Sequence, residues 1–213
     1  MIYFIKTFII VILSYLVGSI LSGEIIARLK NVDLRKQGSG NVGATNVLRS
    51  IGSFYGALVL LGDALKGIVA VLLGGLLGSY HGFDMAILTG VTAIIGHNWP
   101  IFSKFRGGKG IATSLGVIIA LTPLSLIIAL PVFVILLLLF GYVSLASISA
   151  AILYPVSVSL FYPHDPYKLT FAICIAVLAV YRHQTNLKRL FKGEEHRILH
   201  QQKPEKDKGD SRE

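Results

Sequence analysis

The stretch from residue 111 to 161 limits this chain more than any other feature: 51 consecutive residues without one Asp, Glu, Lys or Arg. Soluble folds have little room for such a run. A bilayer, by contrast, requires about 20 apolar residues per crossing helix, and somewhat fewer where it is thin or flanking side chains snorkel. Other apolar runs lie at roughly 5–25, 53–78, 84–97 and 168–182. A mean hydropathy of +0.70 with only 15% charged residues leaves too few polar side chains to cover a soluble globule of 213 residues. The predicted fold class is therefore all-α, a polytopic membrane protein.

The zone 111–161 reads either as one span with buried re-entrant pieces or as three short spans broken near Thr122-Pro123 and Phe140-Gly141. Charge decides the sides. Of 20 Lys and Arg, five fall in 28–49, three in 97–110 and nine in the last 32 residues. The positive-inside rule makes these three stretches cytoplasmic and places the N-terminus and the turns at 79–82 and 162–166 outside. Parity then demands an odd number of crossings between 111 and 161, hence five or seven in total. Seven is favoured, because a break at Gly141 returns the polar segment 142–147 to the cytoplasmic side.

The net charge of +9 is on this reading a topology signal, and no nucleic-acid partner is expected. The N-terminal run continues to Glu24 and Arg28 without a small-x-small cleavage site, so it reads as a retained span and not a signal peptide. Residues 1–197 read as one transmembrane domain and 198–213 as a polar, disordered cytoplasmic tail. A lone Cys174 excludes an intramolecular disulfide, and no Cys/His cluster has zinc spacing; neither metal nor cofactor is expected.

Three cytoplasmic segments carry polar chemistry. In the first, Gly38, Gly40 and Gly43 alternate with Ser39, Asn41, Thr45 and Asn46 before Arg49. Glycines let backbone N–H groups converge on an anion, and the hydroxyl and amide side chains add donors, so the segment reads as a phosphate cradle. The bland alternative is a glycine-rich turn between two spans. It is not a Walker loop, because no Lys-Ser/Thr follows the last glycine, and no strand precedes it to make a dinucleotide fingerprint.

The second segment runs from His97 through Trp99, Pro100, Lys104 and Arg106 to Gly107-Gly108-Lys109-Gly110. Pro100 and the glycine pair argue against a continuous helix, and Lys109 between glycines is placed to hold a second anion. Lys104 and Arg106 suit topological anchoring better than binding, and Trp99 and Phe102 suit an interfacial belt. In the third, His183 and Asn186 are i, i+3 neighbours on one helix face and can reach one ligand, with an interfacial histidine as the plainer alternative.

Two features lie in apolar surroundings. Asp63 and Lys66 are i, i+3 in the second span, where an unpaired charge costs at least about 2.5 to 3.5 kcal/mol, so a structural ion pair close to the site is expected. Ser144 and Ser147 offer hydroxyls to the same region, or serve packing.

Two anion sites and a histidine on one membrane face, backed by apolar helices, suit transfer between a lipid-like donor and a small phosphorylated acceptor. The motifs GSGNVGATNVLR, GHNWPIFSKFRGGKGIAT, YVSLAS, and YRHQTNLKRL with GEEHR resemble the PlsY family of bacterial acyl-phosphate:glycerol-3-phosphate acyltransferases, over nearly the whole chain to Arg197. Arg106 departs from the Lys expected in many relatives, and the charge is kept. No His is followed five positions later by Asp, so the soluble-type His-x4-Asp acyltransferase signature is absent.

The resemblance implies a seven-span bacterial inner-membrane enzyme that uses acyl phosphate, not acyl-CoA, and makes 1-acyl-glycerol 3-phosphate and phosphate. It carries functional roles onto Ser39, Gly40, Asn41, Gly43, Thr45, Asn46 and Arg49, onto His97, Pro100, Lys104, Gly107, Gly108, Lys109 and Gly110, and onto His183 and Asn186. On these grounds the amides of 38–43 with Ser39 and Thr45 are expected to bind the donor phosphate, and Arg49 and Lys109 that of glycerol 3-phosphate. His183 and Asn186 are expected to orient the glycerol, with the base either His183 or the donor phosphate itself. Membrane lipids are the other expected partner, and a monomer the expected working unit. The rival reading is a transporter of a small phosphorylated anion, which would also use paired cations and broken helices.

Overall fold

In the computed structural model, which describes residues 1–80 and 83–198, ten α-helices follow one another: α1 (Ile2–Ser19), α2 (Ser22–Leu29), α3 (Ala44–Ser50), α4 (Ser53–Gly75), α5 (Met85–Asn98), α6 (Ile111–Leu121), α7 (Leu126–Phe140), α8 (Val143–Phe161), α9 (Pro166–Arg182) and α10 (Gln184–Phe191). A two-residue antiparallel pair, Ser79–Tyr80 with Phe83–Asp84, joins α4 to α5. The predicted tail lies outside the described residues from 199 onward, as do 81 and 82 of the predicted outer turn. Five spans are long and apolar enough to cross a membrane: Ile2–Ser19, Ser53–Gly75, Met85–Ser103, Pro123–Phe140 and Val143–Phe161. α6 is a shorter apolar helix, and α9 has 17 residues.

The zone 111–161 breaks where the sequence placed its punctuation. Pro123 opens a 3-10 turn, Pro123–Ser125, after Leu121. The backbone groups freed there are bonded again by side chains: Ser125 Oγ donates to Thr122 O at 2.6 Å, Ser157 Oγ to Ser125 O at 2.7 Å, and Thr122 Oγ1 and Tyr154 Oη are 2.8 Å apart. Such repair is what allows a helix break at membrane depth. The second break is Gly141, whose φ of +74° ends α7 in the left-handed region that glycine alone enters without strain.

Close helix crossings come from small residues. A Cβ added at Gly18 in α1 would overlap the Ala93 carbonyl of α5, and one at Gly96 would overlap Tyr15 O. Gly67 and Gly116 do the same reciprocally between α4 and α6, against Thr113 O and Ala64 O. α5 is thereby wedged between α1 and α4 and becomes the most buried span, while α7 turns most of its surface outward. The apolar core runs through Val71, Ile87, Ile94, Val117, Tyr154 and Phe171. The sequence-predicted ion pair forms inside this frame: Lys66 Nζ lies 3.0 Å from Asp63 Oδ1 and donates to Ile20 O at 2.6 Å, fastening the α1–α2 corner to α4.

Candidate active site

The first polar segment is folded by Asn46. Its Nδ2 donates to the carbonyls of Leu34, Gln37 and Asn41 at 2.8–3.1 Å, and its Oδ1 accepts from Ser39 N–H at 2.9 Å. The side chain is 1% exposed. Asn46 therefore shapes the cradle, its amide hydrogens spent on loop carbonyls, and it also lines the cavity where the segments meet. Gly38 stands at φ +53° with the space of a Cβ already filled by Asn46 Oδ1. Three cradle amides are also committed internally, Ser39 to Asn46, Gly40 to Gln37 O and Val42 to Asn41 Oδ1. The amides of Asn41 and Gly43 carry no hydrogen bond among the described residues, so the anion-facing part of the cradle is narrower than the sequence suggested.

The second segment packs on His97. Gly108 N–H donates to His97 O at 3.1 Å, and a Cβ at Gly107 would overlap that carbonyl, one at Gly108 the His97 ring. These glycines permit close approach and so deliver Lys109. Arg182, at the end of α9, holds the turn from the other side: its Nη2 donates to Gly108 O at 2.6 Å, and its guanidinium lies 5.2 Å from the Trp99 ring centre. Lys104, which suits anchoring better than binding, caps the 3-10 turn after Pro100 at φ +52°, is exposed, and lines neither of the site's two cavities.

The third segment bends at His183, which ends α9 and caps α10. His183 Nδ1 lies 2.7 Å from Ala179 O, which fixes the proton on Nδ1 and leaves Nε2 as an acceptor. Asn186 Nδ2 donates to Glu195 Oε1 at 2.7 Å, and its Oδ1 is buried without a partner. Glu195 also accepts from Ser144 Oγ at 3.0 Å and Arg189 Nε at 2.8 Å. Burial alone would raise the Glu195 carboxyl, but the bonds from Arg189, Asn186 and Ser144 outweigh it and hold it below the usual carboxylate range.

These segments meet in one cavity of ≈ 390 Å³, lined among others by Ser39, Asn41, Gly43, Thr45, Arg49, His97, Lys109, Ser144, Ser147, His183 and Asn186. Its far wall is apolar, with Ala57 and Leu60 of α4 and Phe133 and Leu137 of α7. A second hollow of ≈ 410 Å³ adjoins it, sharing Ser39, Asn41, Lys109 and Asn186 and adding Gly40, Arg182 and Arg189. Asp63 reaches the first cavity beside His97, with Asp63 Oδ1 3.8 Å from His97 Nδ1.

The charges are set for an anion. Lys109 makes no hydrogen bond or ion pair among the described residues, and its pKa is lowered to about 8, chiefly by burial; Glu195 opposes the shift, while Arg189, Arg49 and Arg182 add to it. Burial also lowers the pKa of Arg49, which donates from Nη2 to His196 O at 2.8 Å. His183 is pushed down to about 4, first by burial and then by Lys109, so it is neutral near pH 7.

Glu195, Arg182 and Glu24 are the positioning groups that sequence reasoning did not assign. Glu24 in α2 accepts from Arg35 and from Ser103 Oγ, while Arg35 also donates to Arg106 O, which ties the first two polar segments together. Glu195 and Arg182 sit inside motifs already singled out; Arg182 is a charge directly beside His183, while Glu195, nine positions from Asn186, carries no such local signal.

A pocket with two half-buried cations, two fixed acceptors and an apolar wall defines a class of membrane enzyme that handles a phosphorylated polar molecule and a lipid together, and the comparisons identify it: the chain belongs to the glycerol-3-phosphate acyltransferase family, whose model matches residues 8–193. Among its relatives are the glycerol-3-phosphate acyltransferases of Desulforudis audaxviator, 49% identical over 87% of this chain and 92% of that protein, and of Aquifex aeolicus, 46% identical over 91% and 100%. Two crystal structures of PlsY (YgiH), an integral membrane glycerol 3-phosphate acyltransferase, are similar to this chain. The glycerol 3-phosphate form has a TM-score of 0.83 and 43% identity, covering 90% of this chain and 95% of that one. The lysophosphatidic acid form has a TM-score of 0.80 and 42% identity, with 90% and 94% covered.

Proposed function

We propose that this protein moves a fatty acyl group from acyl phosphate to the 1-hydroxyl of glycerol 3-phosphate, giving 1-acyl-glycerol 3-phosphate and phosphate for bacterial phospholipid synthesis. The observation that carries the reading is the single cavity in which Ser39, Lys109, His183 and Asn186 meet an apolar wall. Glycerol 3-phosphate is a phosphate dianion with two hydroxyl donors. Arg49 and Lys109 answer the charge, and His183 Nε2 and Asn186 Oδ1, both acceptors, answer the hydroxyls.

Acyl phosphate is a mixed anhydride with a good leaving group, so neither a metal nor a covalent enzyme intermediate is required. Ser39, Thr45, the free amides of Asn41 and Gly43, and Ser147 line the place for its phosphate. The hydroxyl oxygen of glycerol bonds to the acyl carbon, the acyl carbon–oxygen bond breaks, and the electron pair leaves with phosphate. Since His183 is held near 4, the proton goes to the departing phosphate, whose basicity rises as that bond breaks.

The same reading places seven crossings through the bacterial inner membrane, with α1, α4, α5, α6, α7, α8 and α9 as spans, the N-terminus outside and the polar segments and C-terminus in the cytoplasm. Residues 1–197 act as one domain in a monomer. The test is direct: purified protein with palmitoyl phosphate, glycerol 3-phosphate and a chelator forms lysophosphatidate. A requirement for a divalent metal or for acyl-CoA overturns the mechanism. Cysteines placed at 40, 109 and 186 are labelled from the cytoplasmic face alone; access from both faces argues for transport.

A further inference from the structure

Beyond α10 the chain doubles back across the site. Gly193, at φ +73°, reverses it, with its own N–H on Leu190 O and the Glu194 N–H on Arg189 O. Residues 193–198 then run as a strap past α3, α7, α8 and α10. Glu195 points inward to Ser144 and Asn186, His196 O takes the hydrogen bond from Arg49, and Ile198 closes part of the cavity wall beside Leu137 and Val143.

The far end of the strap is fastened by contacts that touch none of the substrate-facing groups. Arg197 Nε donates to Tyr142 Oη at 3.0 Å, the guanidinium lies 5.0 Å from the Tyr142 ring centre, and Ile198 N–H donates to Gly141 O at 2.8 Å. All three sit on the corner between α7 and α8, next to Ser144 and Ser147. The proposed chemistry leaves Tyr142 and Arg197 without a role, yet together with the Ser144–Glu195 bond they are the side-chain ties between the strap and this corner among the described residues.

We propose that the Tyr142–Arg197 latch holds residues 193–198 shut over the shared cavity and so sets acceptor selectivity, delivering the acyl group to glycerol 3-phosphate and not to water. The inference rests on the acyltransferase reading. Acyl phosphates are open to hydrolysis: a water oxygen bonds to the acyl carbon, the bond to phosphate breaks with its electron pair going to phosphate, and the proton follows, leaving fatty acid and phosphate. A cationic, phosphate-binding pocket that activates the donor for a sugar-alcohol hydroxyl activates it equally for water, so selectivity requires exclusion. Without the latch, the only side chain of the strap's own residues bonded to the rest of the site, among the described residues, is that of Glu195, and the backbone bonds at His196 O and Ile198 N–H leave its outer end freer to lift. The Arg197 end stops it. Tyr142 and Arg197 are positioning residues and touch no reacting atom.

The experiment measures free palmitate and lysophosphatidate formed from palmitoyl phosphate by the full-length protein, with and without glycerol 3-phosphate. Arg197→Ala and Tyr142→Ala are expected to raise the palmitate-to-lysophosphatidate ratio by about tenfold or more, because water is readmitted to an otherwise intact site. Tyr142→Phe, which keeps the ring, shifts it less, and Arg197→Lys, which keeps a cation over the ring, restores it in part. The ratio is independent of how much protein folds, and Tyr142→Phe is read in place of Arg197→Ala should the latter not accumulate. An unchanged ratio, or hydrolysis and transfer falling together, overturns the proposal. Wild-type protein that forms no lysophosphatidate would instead overturn the acyltransferase reading.

Discussion

Glu195 Oε1 accepts from Asn186 Nδ2 at 2.7 Å and thereby decides which end of that amide faces the substrate. An amide can be turned over at little cost, and a carboxylate behind it leaves Nδ2 no alternative. Glu195→Gln presents a group able to donate as well as accept, so Asn186 loses its fixed orientation. The expected outcome is a fall in kcat of about ten- to a hundredfold, as for loss of a hydrogen bond to a charged group, about 1.5–3 kcal/mol. Steady-state kinetics on both substrates check it: the loss should lie in kcat more than in KM for palmitoyl phosphate.

Lys109 should give the enzyme an early alkaline limb. Its pKa of about 8 in the unliganded protein lies below the ordinary lysine value through burial, so it is cationic below that pH and neutral above it. Since kcat/KM reports ionisations of the free enzyme, kcat/KM for glycerol 3-phosphate is expected to fall as pH rises through about 8. Lys109→Arg, whose guanidinium stays charged, should move the limb to higher pH even where its absolute rate is lower. A flat profile to pH 10 would remove Lys109 from phosphate binding.

Asn46→Asp tests the cradle. The acceptor for Ser39 N–H is preserved, but a carboxylate replaces the donor that meets three carbonyls. An uncompensated buried charge costs about 3–5 kcal/mol. The variant should melt well below wild type in detergent and lose activity, whereas Thr45→Ala, whose side chain supports no part of the loop, should lose activity on acyl phosphate with an unchanged melting temperature.

The Asp63–Lys66 pair should behave as a buried ion pair does. Lys66→Met alone strands the Asp63 carboxylate, with an expected loss of about 3–5 kcal/mol, and Asp63→Leu combined with Lys66→Met should recover most of it. Thermal unfolding of the two variants in the same detergent decides between this and independent roles.

Much of the fold was legible because the membrane restricts what a backbone can do. Pro123 and Gly141 mark breaks in an otherwise uninterrupted apolar zone, and both end helices where the sequence placed them. The site was legible at the level of segments, since glycines cluster where backbone must approach closely. Individual roles were harder. Asn46 has the same side chain as Asn186, and only the fold shows that one amide faces three loop carbonyls while the other presents a bare oxygen to the cavity. Lys104 and Lys109 differ by five positions, and a left-handed turn sends the first outward. Glu195 and Arg182 act through other residues, and no local pattern encodes that.

Leu60 lines the apolar wall of the cavity and is 42% exposed. On the acyltransferase reading, an acyl chain lying along this wall would run beside spans that lipid tails cover. A product made there would not need to be lifted through water: it could leave sideways into the bilayer, with only the small ions passing through the aqueous phase. Turnover would then be paced by two-dimensional traffic of tails, and membrane fluidity would be a kinetic variable of the enzyme.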